Sequence, residues 1–329
     1  MPEISVILPF FNACKTLETS VLSVLNQRFE NFELILVDNN SNDGSLHIAK
    51  KFADSDKRVK LLSEYRQGVV YASMKGLEYS SAGLIARADA DDVWHPDKLK
   101  LQYEYLNKNP DTDVVSCRVN YVGNFEGMRK FVLDTNKNIS HKEISLNRFV
   151  ELQVINPTIL FRKEIALKYG FYKEGDFPED YEMFLRWLEN GVKYRKLPYV
   201  LLDWYDSENR LTRTDKRYSA DAFYRVKAGY LMRFLQENNI FFPDIVVWGA
   251  GRLSRKRAAY TVSSGVHIKY FIDVDINKID GANIVNYKDI PEAGEVYVVS
   301  FVGNRGARDK IKEFLRSKNY CEGKDFLTV

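Results

Sequence analysis

Short β-rich runs alternate with helical patterns along the first 120 residues of this 329-residue chain. Between the first two runs, Leu17, Val21 and Leu25 follow one another at the spacing of one helix face. Strands separated by helices form βαβ units, which build a mostly parallel sheet flanked by helices. We therefore predict an α/β fold, with a loop or small insertion over the polar residues 123–150. The expected strands cover residues 4–10, 32–38, 59–63, 83–88 and 114–121.

A second alternating pattern begins near residue 240. A strand over 244–248 is followed by a glycine turn, a helix over 252–263 and another strand over 270–273. The chain is longer than the roughly 100 to 200 residues of a typical domain. We therefore expect two domains, a larger one and a small α/β domain. Their predicted bounds are 1–240 and 241–329.

Charge and cysteine content exclude several classes of protein. The formal net charge is only +3, which gives no overall signature of nucleic-acid binding. Cys14, Cys117 and Cys321 lie far apart, which argues against a disulfide framework and favours a reducing compartment. No apolar run approaches the roughly 20 residues that span a bilayer. We expect a soluble cytoplasmic protein and leave open a peripheral contact with the inner face of a membrane.

Three carboxylates, Asp89, Asp91 and Asp92, crowd together directly after an apolar run. Such a cluster repels itself unless a cation holds it, and Mg²⁺ and Mn²⁺ bind carboxylate and phosphate oxygens together. A solvated acidic turn is the alternative. Ligands of parallel sheets gather at the carboxyl ends of the strands, where Asp38 is also expected.

Four motifs occur in a fixed order, at residues 4–12, 34–45, 86–92 and 178–187. Together they resemble the inverting glycosyltransferases of family 2, which have the GT-A fold. The resemblance covers roughly residues 1–215. It implies transfer of a sugar from a nucleotide diphosphate donor to a glycan or lipid-linked saccharide in surface polysaccharide assembly. It also implies Mn²⁺ or Mg²⁺ as cofactor and a UDP-sugar as the expected donor.

The resemblance gives individual residues a role. Asp180 matches the catalytic base, which takes the proton of an acceptor hydroxyl in a single inverting displacement. Asp91 matches the metal-binding position, and Asp89 matches a position near the ribose and the metal. Asp38 matches the residue that accepts a hydrogen bond from N3-H of uracil. Further donor contacts are expected from Pro9, Phe11 and Asn12 in the first-strand loop, from Arg66, and from Arg210 and Arg213 in a mobile loop over 204–215.

Structural roles are the alternatives for several of these side chains. Asp38 and Asp180 also suit turn or helix N-terminal positions, and the two loop arginines suit a solvated basic turn. Asp92 either caps the following helix or supports the site. Arg87 either forms a structural salt bridge with these acids or reaches a phosphate.

Gly249, Gly251 and Asp273 have the spacing of a Rossmann dinucleotide fingerprint. In that motif the glycines admit a pyrophosphate to a helix N-terminus, and the acid holds a ribose. Ser254 replaces the third glycine, so the unit either binds a nucleotide or serves as a scaffold. The alternative functions are an NAD-dependent oxidoreductase or a nucleotide-sensing protein that acts through this unit.

Overall fold

The computed structural model describes residues 1–206, 210–275 and 283–329. These residues pack into two compact units. The first unit comprises Met1–Ile144 and Gln153–Lys216, and the second comprises Ser145–Leu152 and Arg217–Val329.

The described part of the first unit contains one eight-stranded sheet. Its strands are β1 (Ile4–Phe10), β2 (Phe32–Asp38), β3 (Val59–Ser63), β4 (Leu84–Arg87), β5 (Val93–Trp94), β6 (Val114–Val122), β7 (Leu160–Arg162) and β8 (Tyr194–Tyr205). Their order across the sheet is β3-β2-β1-β4-β7-β6-β8-β5. Four neighbouring pairs are parallel, whereas β7 is antiparallel to β4 and β6, and β5 is antiparallel to β8. The predicted mostly parallel sheet is confirmed.

Strands β1 and β2 are buried along their whole length. Burial on both faces explains their continuous apolar sequences, since helices cover both sides of a parallel sheet. Phe10 pairs with Asp38, so the two strands end side by side. Strand β4 is parallel to β1, and the acidic residues after Arg87 therefore lie at the same edge of the sheet as the ends of β1 and β2.

Helices connect these strands. The helices that begin in the first unit are α1 (Leu17–Leu25), α2 (Ser45–Ser55), α3 (Val69–Tyr79), α4 (Lys98–Lys108), α5 (Glu126–Thr135), α6 (His141–Leu146), α7 (Lys163–Tyr169), α8 (Glu179–Glu189) and α9 (Leu211–Thr214). Helix α1 buries Leu17, Val21 and Val24, as its periodicity predicts.

Glu33 is a buried carboxylate in β2 that stabilises the sheet through several partners. It accepts hydrogen bonds from Ser5 Oγ at 2.6 Å and from the Ser81 backbone and hydroxyl at 2.7 Å, and it pairs with Lys60 at 2.5 Å. Burial opposes ionisation, but these partners outweigh it and lower the pKa of Glu33 to about 2. The ionised carboxylate therefore contributes stability to the fold.

We expect Glu33→Gln to flatten the acid dependence of stability. Because the folded-state pKa is depressed, the contribution is complete above the ordinary pKa of 4.5 and is lost as the pH falls through about 2. At roughly 1.4 kcal/mol per pKa unit, the effect is on the order of 2 to 3 kcal/mol. Urea unfolding at pH 7 and at several lower pH values measures it, with the exposed neighbour Glu30→Gln as control. Equal pH slopes for the wild type and Glu33→Gln would contradict the assignment.

The second unit contains a five-stranded sheet with parallel pairing throughout its described residues. Its strands are β9 (Asp244–Trp248), β10 (His267–Asp273), β11 (Ile284–Asn286), β12 (Val298–Ser300) and β13 (Phe326–Thr328), in the order β11-β10-β9-β12-β13. Numbered from β9, this order is 3-2-1-4-5, which doubly wound nucleotide-binding sheets share. Its helices are α10 (Ala220–Asn238), α11 (Arg252–Val262) and α12 (Arg305–Ser317).

The division by packing differs from the boundary expected near residue 240. Helix α10 packs with the second unit, where Asp221 pairs with Lys256 of α11 at 2.9 Å. The segment Ser145–Leu152 also belongs to this unit, because Glu151 binds Arg305 of α12 through contacts of 2.8 Å. Long-range contacts of this kind leave no trace in a local sequence pattern.

Within the described ranges, no helix is both long enough and apolar enough to cross a bilayer.

Candidate active site

The acidic residues after β4 converge on one point. One carboxylate oxygen from each of Asp89, Asp91 and Asp92 lies within 4.8 Å of the others. Burial raises the pKa of Asp91, and the charge of Asp89 adds to the effect. The group is thus a concentration of negative charge that a cation would stabilise.

Asp92 belongs to this group and does not cap the following helix. Its Oδ1 accepts a hydrogen bond from the Tyr205 backbone of β8 at 3.0 Å, while Asp97 occupies the cap position of α4. Its Oδ2 is buried and has no hydrogen-bond partner among the described residues. Burial, followed by the charges of Asp91 and Asp89, raises its pKa well above the ordinary value. The capping alternative is therefore wrong.

The three side chains fit a hard divalent cation. They supply only oxygen donors, which Mg²⁺ and Mn²⁺ prefer. Oδ2 of Asp92 has no hydrogen-bond partner among the described residues. Burial and the charge of Asp89 raise the pKa of Asp91 although Arg87 pairs with Asp89 at 2.8 Å, so the group retains acceptors and charge that a cation would stabilise. Asp89 and Asp91, predicted from the sequence as the metal position, are the more accessible pair.

Asp180 is the second residue of α8, which begins at Glu179 after the cap residue Pro178. Its Oδ1 accepts a hydrogen bond from the Tyr181 backbone at 2.7 Å. Burial raises its pKa to about 8, with further contributions from the charges of Glu179 and Asp89. Because the charge of Asp89 acts on Asp180, the acidic group after β4 lies within electrostatic range of Asp180.

Buried polar contacts anchor the helix that carries Asp180. Arg186 pairs with Glu182 at 2.8 Å and donates to the carbonyl oxygens of Gly170 at 2.8 Å and Phe171 at 2.6 Å. Trp187 Nε1 also donates to the Gly170 carbonyl at 2.8 Å. These residues were not identified from the sequence, although Glu182 and Arg186 have the i, i+4 spacing of a helical ion pair.

The predicted nucleoside residues lie at the ends of β1 and β2. Pro9 is buried within β1, whereas Phe11 is 49% exposed in the loop that follows. Asn12 adopts a left-handed φ of 47°, and its Oδ1 accepts from the Asn42 backbone at 2.9 Å. Asp38 is buried and accepts from the Ser41 backbone at 3.3 Å. The structure brings these side chains to one sheet edge, and their contact with a nucleoside stays a prediction.

Arg66 and Asn39 belong to the same edge. Arg66 Nε lies 3.1 Å from Glu64, and the guanidinium carbon lies 4.6 Å from the Tyr71 ring centroid. Asn39, which was not predicted from the sequence, accepts from the Gly68 backbone at 2.7 Å and donates to the Arg66 carbonyl at 2.7 Å. Asn39 therefore fixes the loop after β3, on which Arg66 lies.

The two predicted arginines of the segment 204–215 differ in their surroundings. Arg210 lies over Trp204, with its guanidinium carbon 4.1 Å from a ring centroid, and its charge counteracts the raised pKa of Asp91. Arg213 is bound by both carboxylate oxygens of Asp206, at 2.7 and 2.5 Å. Arg210 is therefore the one that faces the acidic group. Trp204 lies in β8, which ends at Tyr205, rather than in a loop, and residues 207–209 of this segment lie outside the described residues.

In the second unit, the side chain of Asp273 holds the glycine turn at residues 249–251. Asp273 Oδ2 accepts from the Ala250 backbone at 2.8 Å. Gly249 has a φ of 109°, and a Cβ there would lie 2.8 Å from Ser254 Oγ and 2.9 Å from Val302. Gly251 has open space around it and precedes α11. A nucleotide site at Gly249, Gly251 and Asp273 stays a prediction.

The chain is similar to a protein family and to several known proteins. The model of "Glycosyl transferase family 2" matches residues 5–170. The O-antigen biosynthesis glycosyltransferase WbnJ of Escherichia coli is 29% identical over 242 residues, which cover 72% of this chain and 91% of WbnJ. The UDP-Glc:alpha-D-GlcNAc-diphosphoundecaprenol beta-1,3-glucosyltransferase WfgD of Escherichia coli is 39% identical over 107 residues, which cover 32% of this chain and 42% of WfgD.

Two solved structures share the fold. S. aureus TarS in complex with UDP-GlcNAc has a TM-score of 0.57 and 19% identity, with 71% of this chain and 67% of that chain covered. The mannosyltransferase PcManGT of Pyrobaculum calidifontis, in complex with GDP-Man and Mn²⁺, has a TM-score of 0.52 and 18% identity, with 72% and 64% covered. At such identities the likeness concerns the fold alone.

Proposed function

The chain belongs to glycosyl transferase family 2, and from that premise we propose that it is a metal-dependent, inverting transferase of surface polysaccharide assembly. The proposed reaction moves a sugar from a UDP-sugar to a glycan or lipid-linked saccharide. One observation carries the proposal: the carboxylates after β4 converge within 4.8 Å, and Asp89 among them interacts electrostatically with Asp180. The proposed leaving-group site and the proposed base are thus within electrostatic range of each other.

Asp91 and Asp89 are the proposed ligands of the divalent ion. The oxygen donors of the acidic group and the raised pKa of Asp91 support this assignment. A divalent ion bound there would stabilise the charge that develops on the diphosphate leaving group. Arg210, which faces the same carboxylates, would bind the diphosphate through its planar guanidinium.

The proposed donor is a UDP-sugar. Asp38 lies at the end of β2, and its carboxylate suits an N3-H donor such as uracil because it accepts hydrogen bonds and cannot donate them. Phe11 and Asn12 lie beside it in the loop after β1. TarS is solved with UDP-GlcNAc, and WfgD carries UDP-Glc in its name, which supports a uridine donor for this chain.

Asp180 is the proposed base. A base works best when its pKa lies near the working pH, and burial together with neighbouring acids raises the pKa of Asp180 to about 8. Its carboxylate would take the proton of the acceptor hydroxyl while the oxygen attacks the anomeric carbon opposite the diphosphate. A single displacement of this kind inverts the anomer.

The acceptor is proposed to be a glycan or a lipid-linked saccharide. WfgD is named for an acceptor carried on diphosphoundecaprenol, and WbnJ for O-antigen biosynthesis.

All residues assigned to the reaction precede residue 217, so we assign catalysis to the first unit. The second unit is proposed to bind a nucleotide or to act as a scaffold.

Titration calorimetry with UDP, dTDP, GDP and NAD, each with Mn²⁺ and with EDTA, tests this function. We expect UDP to bind in the presence of Mn²⁺ and to lose most of its affinity in EDTA. Tight binding of NAD alone would instead favour an oxidoreductase. Metal-independent binding of a nucleotide without any sugar transfer would favour a sensing protein.

A further inference from the structure

Arg87 is a buried cation at the junction between β4 and the acidic group. Its side chain is only 2% exposed, and Nη2 lies 2.8 Å from Asp89 Oδ1. Nη1 donates to the Ala88 carbonyl, so the guanidinium holds both the backbone and the first carboxylate of the acidic segment.

Arg87 also faces the start of the helix that carries the base. Burial opposes its charge, but Asp89, Tyr172 and Glu179 outweigh burial and raise the pKa of Arg87 above the ordinary value. Glu179 immediately precedes Asp180. The Tyr172 hydroxyl in turn donates to Asn156 Oδ1 at 2.5 Å, which fixes the ring.

Stability alone does not explain this arginine. Removing a guanidinium from water costs several kcal/mol, and a buried ion pair often repays no more than that. The residues on either side of Arg87 in the chain, Ala86 and Ala88, are buried and apolar. In addition, Arg87 Nε has no hydrogen-bond partner in the part of the chain that the structure describes. An apolar residue would suit the strand better, so the charge points to a function in the site.

We propose that Arg87 is a positioning residue that aligns Asp89 with the helix start bearing Asp180. The inference rests on the proposed function. Its guanidinium contacts Asp89 and the Ala88 carbonyl, and it interacts electrostatically with Tyr172 and Glu179. In this role, Arg87 fixes the orientation of Asp89 relative to the start of α8, and loss of the guanidinium would disturb donor binding and the base.

Arg87→Met and Arg87→Lys test this role in the full-length protein. We expect Arg87→Met to weaken UDP binding in Mn²⁺ by about 10-fold or more, and to lower kcat by about 10²-fold, because Asp89 loses its charged, bidentate-capable partner. Arg87→Lys keeps the charge without the planar fork, and it should restore part of the UDP affinity. Calorimetry and steady-state kinetics provide the two readouts.

Arg162→Met is the matched control. Arg162 ends the neighbouring strand β7 and donates to the carbonyl oxygens of Thr112 and Leu106, so it holds the same sheet without facing the acids. We expect this variant to melt at a lower temperature and, where folded, to bind UDP in Mn²⁺ as the wild type does.

Tyr172→Phe tests the role of Arg87 if Arg87→Met does not fold. It keeps the ring and removes only the hydroxyl, so we expect kcat to fall about 5-fold with an unchanged donor KM. The role of Arg87 would be wrong if Arg87→Met folded and kept the wild-type UDP affinity and kcat, or if Tyr172→Phe left kcat unchanged. Neither result would contradict the proposed transferase function. If the wild type itself binds UDP without regard to Mn²⁺, both the proposed function and this role fail.

Discussion

Asp180→Asn is expected to lower kcat by at least about 10²-fold with donor binding nearly unchanged. The amide has almost the size of the carboxylate but cannot accept the proton of an acceptor hydroxyl. Because a base acts in its ionised form and the pKa of Asp180 is raised to about 8, wild-type activity should fall as the pH drops below that value. Steady-state kinetics over a pH series, with UDP release as the signal, measures both effects.

Asp176→Asn is the control for this substitution. Asp176 is exposed in the loop just before α8, so the same chemical change there should leave kcat and its pH profile intact. If Asp180→Asn instead loses UDP affinity and keeps kcat, the residue has a nucleotide-binding or structural role. The base would then have to be another side chain.

Asp91→Asn is expected to abolish UDP binding that depends on Mn²⁺, and with it sugar transfer. The loss follows from removing a charged ligand from a group of three carboxylates that face each other within 4.8 Å. Stability without metal should stay the same or rise, because Asp89 and Asp91 repel each other and burial already raises the pKa of Asp91. Calorimetry with Mn²⁺ and UDP, together with thermal melting in EDTA, measures these outcomes.

Asp111→Asn is the control for Asp91, since this exposed acid lies in the turn that follows α4. If neither EDTA nor Asp91→Asn changed the UDP affinity, the proposed metal site at Asp91 would be wrong. A melting temperature of Asp91→Asn several degrees below that of the wild type would show that Asp91 is chiefly structural.

The first strands could be predicted from the sequence because burial determines their composition. Strands 4–10 and 32–38 are buried at every position, and their apolar runs therefore coincide with the strands of the structure. The helix expected over 252–263 is also present as α11 (Arg252–Val262), one residue shorter. Such elements depend mainly on local patterns.

Elements held by distant contacts could not be predicted in the same way. The polar residues 123–150 were expected to form a loop or small insertion, and they contain α5 and α6. Only Val132 and Thr135 of α5 are buried, so few residues of this short helix belong to the core. It is fixed at its end by Asn136, whose side chain exchanges hydrogen bonds with the backbone of Val119.

The same distinction between local patterns and distant contacts applies to the candidate site. Asp89, Asp91 and Asp180 could be predicted because each lies in a short motif next to a recognisable strand or helix. The partner of Asp92, the Tyr205 backbone, lies 113 positions away, and no local pattern connects the two. The environment of Arg87 likewise depends on residues far along the chain, Tyr172 and Glu179, which explains why the sequence left its role open.

We propose that this chain transfers a sugar from a nucleotide diphosphate sugar with inversion at the anomeric carbon. NMR of a mixture of the wild type, Mn²⁺ and an α-linked UDP-sugar, with water as the slow acceptor, follows the configuration of the released sugar. We expect UDP release and the β-anomer of the free sugar as the first product, with both absent in EDTA and in Asp180→Asn. Initial formation of the α-anomer, or the absence of sugar release from every UDP-, dTDP- and GDP-sugar tried, would contradict it.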